Sequence, residues 1–284
     1  MHLAEESSLP LAFVCQTLDV SRSALYAWQV RQDQPRDAGD IELSSTIRQI
    51  FRRHKRRYGA RRIALDLVEL GIPCGVQRVG KIMKSFGLVA IQPKSFKPRS
   101  TESRHRLGYS PNLLLAEPTP TRMNHVWVCD ISYVPIEDGT FCYLAILMDL
   151  FSRRIVGWQL RSDMTESLVL SALQQAIRNR QPSPGLLHHS DRGGQYAGTI
   201  YRATLARAGM RQSMSRADNV YDNNFMESCF GTIKTELEMA DYESEGQARC
   251  AIAGYIAYYN GDRRHSSLGY LTPIQFERQH GHPK

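Results

Sequence analysis

Along the chain the apolar positions change their period, and each change marks a different kind of structure. Over residues 9–30 they recur at helical spacing, break at Asp19 and Val20, and restart after Ser21, a good N-cap. Two short helices joined by a tight turn are predicted over 1–35. In this helix-turn-helix-like segment Leu11, Val14, Cys15 and Leu18 face a small core with Leu25 and Trp28, and Arg22 and Ser23 open the second helix. Residues 31–40 are polar with Pro and Gly, the mark of a linker. The helical period returns over 41–54, 60–70 and 76–86, separated by R-Y-G and G-I-P-C-G, so a small three-helix unit is expected over 41–90. Five prolines among Lys, Arg and Ser then mark 91–120 as a second linker.

After Asn124 the period shortens to two. V-W-V-C-D-I-S-Y-V, G-T-F-C-Y-L-A-I-L-M-D-L and R-R-I-V-G-W-Q-L are β-rich runs with turn signals at E-D-G and F-S-R, an antiparallel meander. A helix over Thr165–Arg180, a strand in G-L-L-H-H-S, a helix from about Gln195 to Arg207, a strand in M-R-Q-S-M-S and a long helix from about Asn223 to Leu237 follow. The order βββαβαβα gives a mixed sheet with helices packed on it, a core spanning 121–240. Residues 241–284 add one helix, Gln247–Tyr259, and an irregular basic tail. The fold class is α+β: a helical N-terminal part followed by a mixed-sheet core.

Charge divides the chain at the same place. Of the net +8, residues 1–120 hold 19 basic and 11 acidic residues, and 121–284 hold 17 of each. A basic part joined to a neutral part points to a polyanion, and nucleic acid is the natural one. Eight bases lie between Arg48 and Arg62 with no acid among them, Arg56, Arg57, Arg61 and Arg62 included, a density suited to a phosphate backbone. No apolar run reaches the ~18 to 20 residues of a membrane span. The acidic N-terminus is unlike a secretory signal, and the six cysteines form neither C-x-x-C pairs nor zinc-ligand clusters. A cytoplasmic protein with reduced thiols is expected.

Three carboxylates stand where the pattern leaves them unneutralised. Asp130 lies in the first strand among Val126, Val128 and Cys129, Asp191 follows the fourth strand in H-H-S-D-R-G-G-Q-Y, and Glu227 lies on the long helix in D-N-N-F-M-E-S-C-F. Carboxylate oxygen suits Mg²⁺ or Mn²⁺, and three carboxylates on separate elements can hold two such ions, one at the attacking and one at the leaving oxygen of a phosphodiester. Asp149, ending the second strand, reads instead as a turn cap or a partner of Arg153 or Arg154. His189, two positions before Asp191, shares its strand face and could orient water or phosphate. Asn223 either caps the helix or meets DNA or a metal-bound water. Arg263 and Arg264 in the tail suit nucleic acid, a second protomer or plain solvation.

From Asn124 onward the chain resembles the catalytic core of the retroviral-integrase superfamily, whose fold is ribonuclease-H-like and whose active site is an Asp, Asp, Glu triad. The 35 residues between Asp191 and Glu227 match the D-D-35-E spacing. W-V-C-D-I-S-Y, D-L-F-S-R-R-I-V-G-W, H-S-D-R-G-G-Q-Y, D-N-N-F-M-E-S-C-F-G-T-I-K-T-E and Y-Y-N-G-D-R-R-H-S-S-L-G-Y-L-T-P look like the blocks of insertion-sequence-3 family transposases, in particular the product of their second reading frame. Upstream, R-R-Y-G-A-R-R-I and V-G-K-I-M-K-S-F-G-L-V-A resemble the helical DNA-binding domain of that family. The resemblance implies a DNA transposase that cuts and joins transposon ends with two Mg²⁺ ions on Asp130, Asp191 and Glu227. It also implies that Lys234, two helical turns beyond Glu227, meets DNA, and that the chain works as a homo-oligomer, with the upstream reading-frame product as a possible partner. A catalytically silent repressor and a plain ribonuclease-H-type nuclease are the competing readings. All three carboxylates and Lys234 speak against the first; the basic helical arm speaks against the second.

Overall fold

The computed structural model describes residues 10–33, 38–93, 108–216, 223–238 and 242–280, and the chain divides into two compact units, residues 1–89 and 90–284. The first unit is helical: α1 (Leu11–Thr17), α2 (Arg22–Asp33), α3 (Ala38–Arg53), α4 (Ala60–Glu69) and α5 (Val76–Ser85). Ser21 does cap α2, its Oγ accepting from Ala24 N at 3.1 Å. The core expected for the first two helices differs, because Leu18 and Trp28 lie exposed and Cys15 is the buried side chain of α1. Ile47, Ile50, Phe51, Tyr58, Ile63, Leu67, Val79 and Met83 form the buried interior of α3 to α5, from positions at helical spacing.

The turn leaving α3 is unusual. Arg56 N donates to Phe51 O at 3.0 Å and Lys55 N to Arg52 O at 2.9 Å, a Schellman closure in which Lys55 (φ 49°) occupies the left-handed position that glycine normally fills. Arg56 (φ 63°) is left-handed too. His54 fastens the turn: its Nε2 lies 2.8 Å from Asp66 Oδ2 on α4, and its ring stacks on Tyr58 with centroids 3.7 Å apart.

In the second unit β1 (Val126–Pro135), β2 (Phe141–Asp149) and β3 (Ile155–Arg161) form the expected meander. With β4 (Leu187–Ser190) and β5 (Arg211–Met214) they make a five-stranded sheet in the order β3-β2-β1-β4-β5. β1 runs parallel to β4 through Val126, Val128 and their neighbours alone, so beyond Val128 the two strands part. Strand alternation then sorts the side chains. Trp127 and Cys129 join one core with α6 (Glu166–Arg180) and α7 (Thr199–Arg207). Val126 and Val128 join the opposite core with α8 (Asn224–Glu236) and α9 (Glu245–Gly261). Where α6 crosses β3, a Cβ on Gly157 would stand 2.3 Å from Ala172 O, so only glycine admits the helix this closely.

The tail is more ordered than its irregular pattern predicts, since Pro273–His280 forms a helix, α10. Thr272 and Gln275 make a reciprocal cap, Gln275 N to Thr272 Oγ1 at 3.2 Å and Thr272 N to Gln275 Oε1 at 2.9 Å, with Pro273 at the first helical position. Glu277 of α10 is buried. It receives both guanidinium amines of Arg180 at 2.8 and 2.9 Å, Arg154 at 2.5 Å and Ser152 Oγ at 2.8 Å. Residues 108–116 lie on β5, Leu113 N donating to Ser213 Oγ at 2.9 Å and Ser110 Oγ to Gln212 Oε1 at 2.9 Å.

Candidate active site

Asp130 follows Val126 and Val128 on their face of β1, the face that α8 covers, at the point where β4 has turned away. Its Oδ1 accepts from Ile131 N at 2.8 Å. This carboxyl is pushed up to about 8, by burial first and then by the negative charges of Asp191 and Glu227, while the Ile131 amide and the Lys234 ammonium pull the other way. Four charged groups from three elements therefore share one field.

Asp191 leaves β4 as the strand ends. Its Oδ1 accepts from Gly193 N at 2.9 Å. A Cβ at Gly193 would stand 2.7 Å from Gln195 Oε1 and 3.0 Å from Asp191 Oδ1. Since Gly193 has φ −58°, the glycine supplies room beside the carboxylate rather than a special backbone torsion.

Glu227 sits in the first turn of α8 with its side chain exposed, and Lys234, seven positions later on the same side, is half-buried. Burial lowers the Lys234 ammonium, against the attraction of Asp130. Among the described residues no three His, Cys, Asp or Glu side chains converge closely enough to hold a metal ion. The compact carboxylate cluster that the spacing predicts is thus not drawn together among the described residues. The donor set itself, three carboxylates and no sulfur or imidazole, fits a hard cation such as Mg²⁺.

Asn223 precedes α8 without capping it through its side chain. Instead its Nδ2 reaches Cys129 O at 3.4 Å, one residue past the last β1–β4 pair, while its buried Oδ1 has no hydrogen-bond partner among the described residues. Asp149 takes the structural role expected of it, accepting from Asn124 N at 2.6 Å, Phe151 N at 3.0 Å and Ser152 N at 3.1 Å. Arg154 pairs with Glu277 rather than with it.

Several expected nucleic-acid contacts are turned inward. His189 is fully buried, with Nδ1 2.8 Å from Ser213 Oγ and Nε2 3.2 Å from Ser215 Oγ, so its ring ties β4 to β5 instead of facing a substrate. Arg263 is buried against Glu236, and Arg264, also buried, donates to Tyr270 O at 3.2 Å. Local sequence gives no sign of this, because the acid that neutralises Arg263 lies 27 positions away. In the first unit Arg56 and Arg61 are exposed, and Arg57 and Arg62 are half-buried, with Arg62 over the Tyr58 ring at 5.3 Å.

Comparison with known proteins agrees with this architecture. An HTH-like domain matches residues 38–96, and integrase core domains match residues 120–219 and 208–273. The transposase InsF for insertion sequence IS3A of Escherichia coli (strain K12) is 36% identical over 98% of this chain and 96% of its own length. A 31 kDa protein of insertion element IS600 of Shigella sonnei is 38% identical over 94% of this chain and 98% of its own. The transposase for element IS904 of Lactococcus lactis is 41% identical over 83% and 93%. With an HTH-like unit, a ribonuclease-H-like integrase core and end-to-end identity well above 30%, the chain belongs to the IS3 family of insertion-sequence transposases.

Proposed function

We propose that this transposase cuts and joins the ends of its insertion sequence using Asp130, Asp191 and Glu227. The observation that carries the reading is topological. Asp130 lies where β1 and β4 diverge, Asp191 follows the end of β4, and α8, carrying Glu227 and Lys234, covers the same face. Open sheets bind their ligands at such a divergence.

Asp130, Asp191 and Glu227 are the residues that would hold two Mg²⁺ ions. Bound there, the ions would supply an activated attacking oxygen and charge stabilisation at the leaving oxygen. The protein's own part is to position. The Gly193 amide holds the Asp191 carboxylate in place, and the half-buried Lys234 ammonium offers a cation to a DNA phosphate beside the carboxylates. In the cutting step a water oxygen bonds to phosphorus and the 3′-oxygen leaves, taking a proton. In the joining step that 3′-hydroxyl bonds to a target phosphorus and displaces the target strand's 3′-oxygen. The helical unit at 41–90 engages DNA through its arginines, and the working form is an oligomer on DNA, in concert with the upstream reading-frame product of the element.

Labelled terminal DNA tests the reading. Asp130→Ala, Asp191→Ala or Glu227→Gln should each abolish cutting and joining while end binding persists; any one of them that joins at the parental rate removes that residue from the site. Lys234→Ala should fold normally yet weaken end binding or joining, and Lys234→Glu should be worse, because repulsion replaces attraction. Full joining by the Glu variant, or collapse of the Ala variant in a thermal melt, would assign Lys234 a structural role.

A further inference from the structure

The D-R-R-H segment at 262–265 packs against α8. Arg263 Nε lies 2.9 Å from both carboxylate oxygens of Glu236 and Nη2 lies 2.7 Å from Oε1, both residues being less than 10% exposed. Tyr255 OH on α9 donates to Glu236 Oε2 at 3.0 Å, and the guanidinium lies 5.7 Å from the Tyr259 ring centroid. Glu236 is nine positions after Glu227, which on a helix of 3.6 residues per turn is the opposite side; Lys234, seven positions after Glu227, is on the same side. The grip on the back of α8 therefore sets the direction in which its front points.

We infer that Arg263 is a positioning residue: through Glu236 it fixes the rotation of α8 about its axis and so aims Glu227 and Lys234 at Asp130. This rests on the roles proposed above for those two side chains. Most of the remaining α8 contact is made by Met226, Cys229, Phe230 and Ile233, with Phe225, under the Arg153 guanidinium, and Leu237 half-buried beside them; apolar contacts of this kind are non-directional and tolerate small rotations. A bidentate guanidinium–carboxylate pair is directional and does not. With side-chain heads roughly 6 Å from a helix axis, a rotation of about 10° displaces them by about 1 Å. A displacement of that size at a reacting centre costs on the order of a hundredfold in rate.

Buried ion pairs contribute little net stability compared with apolar residues of similar volume, which separates aim from folding. The test, with Glu227→Gln made alongside, is the triple variant Glu236→Leu/Tyr255→Phe/Arg263→Met, which removes the carboxylate, the hydroxyl and the guanidinium together so that neither charge of the pair stays buried alone, although His265 Nε2 loses its contact with Arg263 Nη1 at 3.2 Å. It is assayed in whatever assembly supports joining by the parent chain. Expected are a melting temperature close to the parent, retained end binding and joining of a pre-cut end slowed about 10- to 100-fold. Without DNA, amide hydrogen exchange along residues 224–236 should be faster. Arg263→Lys, keeping the charge but losing the fork, should fall between parent and triple variant. A triple variant that joins at the parental rate, or one that fails to fold, overturns the proposal. Should Glu227→Gln join normally, the carboxylate assignment itself fails and this inference falls with it; a dead Glu227→Gln beside a fully active triple variant sinks the positioning role alone.

Discussion

In the 1–89 unit Arg52, Arg53, Arg56 and Arg61 stand exposed, whereas in the 90–284 unit Arg263 and Arg264 are buried and Arg180 is nearly so. The same side chain serves two ends, and its surroundings decide which. No acid occurs in the sequence between Arg48 and Arg62, and most of the guanidiniums in that run stay in water, where a phosphate backbone can meet them. In the second unit each buried guanidinium meets an acid or a carbonyl brought in by folding: Glu277 lies 97 and 123 positions from Arg180 and Arg154. Whether a basic residue faces water or the interior is thus settled by what the fold carries to it, not by the acids in the neighbouring sequence.

The largest effect expected from breaking this contrast is in the second unit. Glu277→Ala should cost about 3 to 5 kcal/mol, because Arg180 is left buried and uncompensated. For a domain of this size that is a fall in melting temperature of roughly 6 to 20 °C. Burial opposes ionisation of Glu277, but the bonds and charge of Arg180, with Arg154 and Ser152, hold its carboxyl below the usual range. A carboxyl with a depressed folded value stabilises above the unfolded value, near 4.5, and loses that contribution as pH falls through the folded one. Melts of Glu277→Gln against the parent should therefore differ most near neutrality and converge at acid pH; a difference that grows on acidification would contradict the ion-pair account.

In the first unit the expected effect is on affinity. Neutralising Arg56, Arg57, Arg61 and Arg62 together should keep the fold and flatten the slope of log K against log salt by roughly 0.9 for each phosphate no longer neutralised. An unchanged slope would reduce these arginines to a solvated surface. Smallest of all is Lys55→Gly. It relieves a left-handed Cβ and should raise stability by about 0.5 to 1 kcal/mol in chemical denaturation, while removing one charge from the turn. Destabilisation instead would mean that the Lys55 side chain holds the turn.

Much of the fold is legible in the sequence because its signals are local. The helices at 60–69 and 76–85 and the meander follow directly from apolar period and turn residues. The helix α10 escapes such a reading although T-P-I-Q is a capping-box start, because a short helix in a basic tail shows little periodicity. Spacing alone assigns Leu18 and Trp28 to a core, yet spacing says nothing about what lies nearby to cover them. For the site, strand parity puts Asp130 on the right face to meet α8. The inward turn of His189 and Arg263 depends on Ser213, Ser215 and Glu236, partners no spacing rule connects to them.

The fork between β1 and β4 also sets an order of assembly. The β1–β2 hairpin closes over a turn of a few residues at Asp138–Gly139, but β1 pairs with β4, bringing Asp191 into the field of Asp130, only once some 60 residues between them are looped back, and Glu227 lies further along the chain still. At about 0.6 kcal/mol for each doubling of loop length, that closure is dearer than the hairpin by roughly 2 kcal/mol before any contact is made. A partly folded molecule then holds the hairpin and its lone aspartate without the other two carboxylates. On the assignment proposed for the three carboxylates, such a molecule could not break a DNA strand, and the power to cut would arrive with the last long-range contacts rather than with the first.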